Sequence, residues 1–370
     1  MQPLSGITIV DFSTLLPGPL ASLILAEAGA TVIKIERPGG GDELRGYEPR
    51  FGPASVGFAL LNRGKRSIAL DLKVNGARRR LLPLLRSADV LIEQFRPGVM
   101  DRLGLGYAAL AAINPRLIYC SISGYGQSGP KAQVAAHDLN YLAETGLLHL
   151  AAGPDGAPVV PPALLADIAG GSYPAVLNVL LALRTRDATG RGCHLDIAMT
   201  DHLFPLMWWA LGQGFAAGRW PRPGGELLTG GSPRFQVYPT ADAHFLAAAP
   251  LEQRFWARFA ELIGLEPAYR DDRRDPAAAK VRVAEIIRSR GAAHWRARFA
   301  GEDVCCALVA SLEEAVRDPH FVGRGLFADA LTDGAGRSIP ALPVPLAPVF
   351  REARAASYPA LGESNDLLEE

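Results

Sequence analysis

A chain of 370 residues is long enough for one large and one smaller domain, each with its own apolar core. Lysine plus arginine equals aspartate plus glutamate at 38 each, so no overall field draws the chain to nucleic acid or anionic lipid, and an anionic ligand has to be caught locally. A hydrophobic content of 49% with 39 Gly and 29 Pro fits a turn-rich α/β protein and excludes a disordered or fibrous one.

The opening MQPLSGITIVDFS has no basic stretch leading into an apolar one, and apolar runs such as residues 175–183 are too short to span a bilayer. The expectation is a cytoplasmic chain, neither exported nor membrane-spanning. Residues 6–12 (GITIVDF) read as a buried strand and residues 17–28 as a helix with Pro near its start and Gly29 as its stop. Residues 31–36 (TVIKIE) form the next strand, completing a βαβ unit. Further strands at 67–71, 89–94 and 116–121 alternate with helical stretches such as 76–86, which favours a parallel sheet with helices on both faces. Sheets of that kind bind ligands outside the carboxyl ends of their strands.

From Asp167 a helix is expected to run to 184, bent at Pro174, with a strand at 194–199 continuing the sheet. Residues 218–231 are Gly- and Pro-rich and read as a linker into a smaller α+β domain. That domain has a strand pair within 235–248 and helices at 251–263, 277–290 and 292–299.

Gly124, Gly126 and Gly129 spell G-x-G-x-x-G after a strand, but Pro130 and a polar run follow where a dinucleotide site needs an immediate helix, so the motif reads as a tight glycine turn. Cys120, Cys193, Cys305 and Cys306 have no metal or redox spacing, and neither do the histidines, so no metal site is expected. Basic residues flanking predicted strands are candidates for holding phosphate groups: Arg37, the cluster Arg63, Lys65 and Arg66, and Arg96. His137 and Asp138 are adjacent in a polar segment, Asp167 opens the glycine-rich DIAGGS, and Glu252 opens a helix after AAAPLEQRFW. Each has a plain alternative reading, as a helix-end charge or a local hydrogen-bond pair.

Ordered blocks along nearly the whole chain resemble the class III coenzyme A transferases and their relatives the α-methylacyl-CoA racemases. They are IVDFSTLLPGPLASLILAEAGATVIKIERPGGGD, ADVLIEQFRPGVMDRLGLGY, INPRLIYCSISGYGQSGP, TGRGCHLDIAMTD, DPHFVGRGLF and YPALGESND. The resemblance implies an interlocked homodimer whose large Rossmann-like domain comes from both termini, 1–217 with 321–370, and whose small α+β domain is 218–320. It also implies that Arg37, Arg96 and Arg102, with Lys65 or its neighbour Arg66, contact the nucleotide part of coenzyme A. Asp167 falls on the aspartate shared by both branches, and His137 and Glu252 fall on additional acid/base positions of the racemase branch. Two departures stand out. Ala163 occupies a position, four before the aspartate, where racemases usually carry Asn, and Cys193 replaces the usual Gln after TGRG.

In a racemase, His137 and Asp167 would face the two sides of a thioester α-carbon, with Glu252 orienting His137 and Asp138 tuning the pair. Backbone N–H groups near Asp138 or the Asp167 helix would hold the enolate oxygen. Such a reaction needs no metal or organic cofactor, because the acyl-CoA substrate acidifies its own α-carbon. A transferase would instead use Asp167 as a nucleophile, with no need of His137. A non-catalytic CoA-binding subunit is the third reading. The indole rings of Trp208 and Trp209 read as helix packing or as lining of an acyl tunnel.

Overall fold

The computed structural model describes residues 1–153, 155–352 and 356–368. Among these, six parallel strands form the main sheet: β1 (Thr8–Asp11), β2 (Thr31–Glu36), β3 (Arg66–Ala69), β4 (Val90–Glu93), β5 (Ile118–Ser123) and β6 (His194–Ala198). Their order across the sheet is β3-β2-β1-β4-β5-β6. The chain builds outward from β1 to β3, then returns to lay β4 on the other side of β1. The strand order therefore reverses between β1 and β4, and in open α/β sheets that reversal leaves a crevice at the carboxyl ends.

The central strands are buried throughout, β4 as VLIE and β5 as IYCSIS, as expected of a sheet covered on both faces. Helix α1 (Pro17–Glu27) is buried along its whole length, which its nearly all-apolar sequence permits. Pro17 and Pro19 lie in its first turn, where a missing N–H removes no helical bond. Helix α2 (Ala77–Ser87) buries Ala77, Leu81 and Leu85 and leaves Arg78, Arg79 and Arg80 exposed, as its spacing predicts. One core on the sheet packs Val10, Ile33, Ile68 and Leu91 against Leu81 and Leu85. Another joins Phe51 and Phe58 to Leu331 and Tyr358 near the carboxyl terminus.

The chain divides into two compact units: Met1–Thr145 with Pro161–Leu206 and Pro319–Glu370, and Gly146–Val160 with Met207–Asp318. The second unit thus takes in residues 146–160 and 207–217, which the sequence reading gave to the large domain. It contains an antiparallel sheet of β7 (Gln236–Pro239), β8 (Phe245–Ala248) and β9 (Cys306–Leu308), with β8 central. Helices Gln253–Leu262, Pro276–Arg288 and Ala292–Phe299 close its core around Trp256, Phe259, Val283, Ile287 and Trp295. The expected strand pair is β7 and β8. Trp208 does not pack within its unit: it is 71% exposed.

Candidate active site

Within the first unit a cavity of about 400 Å³ opens outside the carboxyl ends of β1, β4, β5 and β6, a size suited to a small organic ligand. Leu15 and Pro17 line it after β1, residues 94–97 after β4, residues 122–125 after β5 and Met199 after β6. His137, Asn140, Tyr141 and Asp167 complete the wall. The G-x-G-x-x-G segment is a turn over this rim, with φ +84° at Gly126 and +93° at Gly129, values that favour glycine.

Asp167 is the second residue of a widened π-helical turn, Ala166–Ser172, that runs into the α-helix Tyr173–Thr189. The Tyr173 N–H reaches back five residues to Ile168 O. Small residues make this possible. A Cβ on Gly170 would lie 2.4 Å from Met199 O, and one on Gly171 would lie 3.1 Å from the Met199 side chain. Ser172 Oγ ties the turn to α1 by donating to Pro17 O at 2.8 Å.

The short helix Asp138–Glu144 faces this turn, with His137 as its exposed N-cap. Asp138 is buried, and its Oδ1 accepts the N–H groups of Ala166 at 2.7 Å and Asp167 at 3.0 Å. This corrects one expectation. The amides that open the Asp167 helix are occupied by Asp138 and are not available to an enolate oxygen. Asp138 and Leu139 follow the His137 N-cap in the first turn of their helix, where backbone N–H groups have no intrahelical partner. Asp138 is not a cavity-lining residue, and it supports Asp167 through the backbone. Burial, reinforced by the Asp138 charge and partly offset by His137, pushes the Asp167 carboxyl up to about 6. Burial and the Asp167 charge push the Tyr141 phenol up to about 12; its hydroxyl donates to Ala136 O at 2.9 Å.

The cations separate into two groups. Arg37 follows β2, Arg96 follows β4 and lines the cavity, and Arg102 ends the short helix Val99–Arg102. All three are exposed and follow carboxyl ends of strands. Lys65 and Arg66 do not join them. The Lys65 side chain is wholly buried, and its ammonium lies 2.8 Å from Asn62 Oδ1, 2.9 Å from Pro19 O and 3.5 Å from Asp11 Oδ2. Arg66 begins β3 and is exposed at the amino end of the sheet, beside a separate depression that includes Thr31 and Val32. Neighbouring Arg63 is also buried, paired with Glu27 at 2.8 Å.

Glu252 belongs to the second unit, where it is the exposed N-cap of Gln253–Leu262. The residues on either side of it are clamped by Arg234, whose guanidinium donates to Leu251 O at 3.1 Å and to Gln253 Oε1 at 2.8 Å while pairing with Asp272.

The sequence matches CoA-transferase family III over residues 4–365. It is 35% identical to human alpha-methylacyl-CoA racemase over 377 residues, covering 99% of this chain and 93% of that protein. It is equally 35% identical to the acetyl-CoA:oxalate CoA-transferase of Acetobacter aceti over 375 residues, covering 99% of this chain and 95% of that one. Among solved structures, a CAIB/BAIF family protein from Brucella suis superposes with a TM-score of 0.84 at 28% identity, covering 100% of this chain and 98% of that one. The chain belongs to CoA-transferase family III.

Members of the family are enzymes, and a racemase and a transferase stand at equal identity to this one, so family membership leaves the reaction open. Several cavity residues of this family III chain escaped sequence reasoning. Leu15 has φ +63°, an uncommon value for a branched residue. Its N–H is held by Asp42 at 3.1 Å, and Asp42 is in turn paired with the buried Lys34 at 2.9 Å. Gln94 accepts the Gly18 N–H at 3.0 Å and so joins two rims of the cavity. Each contact spans distant segments, and no local pattern announces it.

Proposed function

We propose that this chain is an α-methylacyl-CoA racemase-like enzyme that epimerises 2-methyl-branched acyl-CoA thioesters by removing the α-proton and returning one to the opposite face. The observation that carries this reading is that His137 and Asp167 line one cavity, with the Asp167 carboxyl raised to about 6. A general base works best when its pKa lies near the operating pH, and a pair of acid/base groups across one carbon is what inversion without net chemistry requires. Asp167 takes the proton from one face as His137 returns one to the other, and the roles reverse for the opposite epimer. The orphan amides after His137 hold the enolate oxygen. Arg37, Arg96 and Arg102 take the nucleotide phosphates.

The thioester acidifies its own α-carbon, so the proposed reaction draws on no metal or organic cofactor. A homodimer is part of the reading. Leu177, Leu180 and Leu181 are exposed on one helix, at 59%, 41% and 57%, an apolar face suited to a second copy.

In deuterated water the purified protein should wash deuterium into the α-position of a 2-methylacyl-CoA with no acceptor acid present. Absence of exchange across a panel of branched acyl-CoAs would sink the reading. Acceptor-dependent movement of coenzyme A, with a hydroxylamine-sensitive adduct on Asp167, would replace it with transfer through an aspartyl anhydride.

A further inference from the structure

A second buried polar group lies under the cavity and is not used by the proposed chemistry. Glu93 and Ser121 are register partners on β4 and β5, and Ser121 and Asp196 are partners on β5 and β6. Two residues earlier on the same face, Tyr119 partners His194. Ser121 Oγ lies 2.9 Å from His194 Nε2 and is also hydrogen-bonded to the Glu93 carboxyl. Glu93 Oε2 accepts the Phe95 N–H at 2.8 Å, and Asp196 accepts the Gln127 N–H at 3.0 Å. The His194 ring stacks on Tyr107 with centroids 5.2 Å apart, which fixes its plane.

Glu93 is 4% exposed and Ser121 1%. The charged groups acting on Glu93 are Asp101 and Asp196, both carboxylates. Burial without a cation pushes Glu93 up to about 7, and burial pushes His194 down. Tyr119 and Cys120, packed on the same strand, are pushed up by burial and by Glu93 itself. With its proton in place, Glu93 donates to Ser121, Ser121 donates to a neutral His194, and the second Glu93 oxygen still holds Phe95. Once Glu93 ionises, Ser121 has to turn its hydrogen toward the carboxylate, and His194 has to present a proton on Nε2 instead. The residues immediately after Glu93, 94–97, are a wall of the cavity.

We propose that Glu93 is a positioning residue for thioester binding: through the Phe95 amide and the Ser121–His194 chain it holds the 94–97 wall, including Arg96, in its ligand-ready form. The inference rests on reading the cavity as an acyl-CoA site. Ionisation of Glu93 strengthens the Phe95 bond that anchors this wall, so affinity rises as pH rises through neutrality.

The test measures the Kd of free coenzyme A by calorimetry and the KM and kcat of α-exchange, both across about pH 5.5 to 8.5, for the wild type, Glu93→Gln and Glu93→Ala. Gln keeps an acceptor for Phe95 and a donor for Ser121 and cannot ionise. Its Kd should stay within about twofold of the wild-type value at low pH and remain flat where the wild type tightens. Ala should raise Kd and KM by about tenfold, the size of one lost hydrogen bond to a charged group, with kcat changed much less. An unaltered Kd in Glu93→Ala, or a wild-type pH dependence in Glu93→Gln, would overturn the inference. The Kd readout needs neither exchange nor transfer, so loss of exchange with these Kd shifts intact counts against the racemase reading and leaves Glu93 in place. A wild type that does not bind coenzyme A defeats both.

Discussion

Asp138 Oδ1 accepts the backbone N–H of Asp167 at 3.0 Å, so the two carboxylates are joined through a peptide amide rather than side chain to side chain. Asp138 therefore acts on Asp167 twice: it fixes the backbone, and its negative charge helps hold the Asp167 carboxyl above its ordinary value. Asp138→Asn separates the two effects. Asn keeps an oxygen for the Ala166 and Asp167 amides but removes the charge, so the acid limb of kcat/KM, expected near 6 in the wild type, should move lower. Asp138→Ala also leaves two buried amides unpaired and should lose about 1–3 kcal/mol of stability. An acid limb unmoved in Asp138→Asn would show that the limb belongs to another group.

The same raised value has a consequence for stability. The Asp167 carboxyl titrates near 6 when folded and near 3.8 when unfolded, so between those values the folded protein binds more protons. Its contribution is favourable at low pH and is lost as pH rises from about 4 to 6. Asp167→Asn removes that loss. The variant should be inactive yet more resistant to urea than the wild type at pH 7, with the advantage shrinking toward pH 4 in unfolding curves.

His137→Ala distinguishes the two reactions open to Asp167. Loss of one member of an acid/base pair should lower α-exchange by about 10²-fold or more. Coenzyme A transfer through Asp167 has no role for the imidazole and should persist. His137 is exposed, so circular dichroism and unfolding midpoint should stay near wild type. Exchange at the wild-type rate in this variant would remove His137 from the mechanism.

Gly170 tests whether the widened turn matters to the site. A methyl group there would meet Met199 O at 2.4 Å, a contact that backbone cannot yield without moving β6 or the turn. Gly170→Ala should lose about 1–3 kcal/mol by overpacking and misplace Asp167, so that α-exchange falls while binding of coenzyme A, proposed above to rest on Arg37, Arg96 and Arg102, changes little. A variant with wild-type exchange would show that the turn tolerates the shift.

Elements set by local pattern were legible in the sequence: TVIKIE is β2 at its expected bounds, and residues 292–299 form the expected helix. Buried strands show as continuous apolar runs, and helix starts show as prolines. The π-helical turn was not legible, because DIAGGS reads simply as a helix start; what widens it is contact with Met199 and Pro17, far away in sequence. The border between the units was displaced for a similar reason. Residues 207–217 carry no change of composition, and the Gly- and Pro-rich stretch that invites a boundary lies inside the second unit. Asp167 and His137 were found through the family resemblance, whereas Asp138 as a backbone support, and Glu93 at all, needed the register of neighbouring strands.

Lys65 shows most sharply what a charge in a sequence does not reveal. Standing beside Arg63 and Arg66 it reads as a surface cation for phosphate, yet it lies in a buried network with Asp11, Lys34 and Asp42, where Ser22 Oγ also donates to Asp11 at 2.5 Å. Removing one member of a buried ion pair leaves its partner uncompensated, a loss of about 3–5 kcal/mol. Lys65→Met should therefore lower the unfolding midpoint sharply, and the protein that remains folded should bind coenzyme A with the wild-type Kd. Arg96→Ala should do the reverse: an exposed cavity cation contributes little to folding, but its loss should weaken coenzyme A binding, and more so at low salt than at high. Thermal unfolding and calorimetry on the same two variants decide the matter. If Lys65→Met weakened binding without lowering stability, its ammonium would have to reach the ligand, and the buried network would not describe the protein in solution.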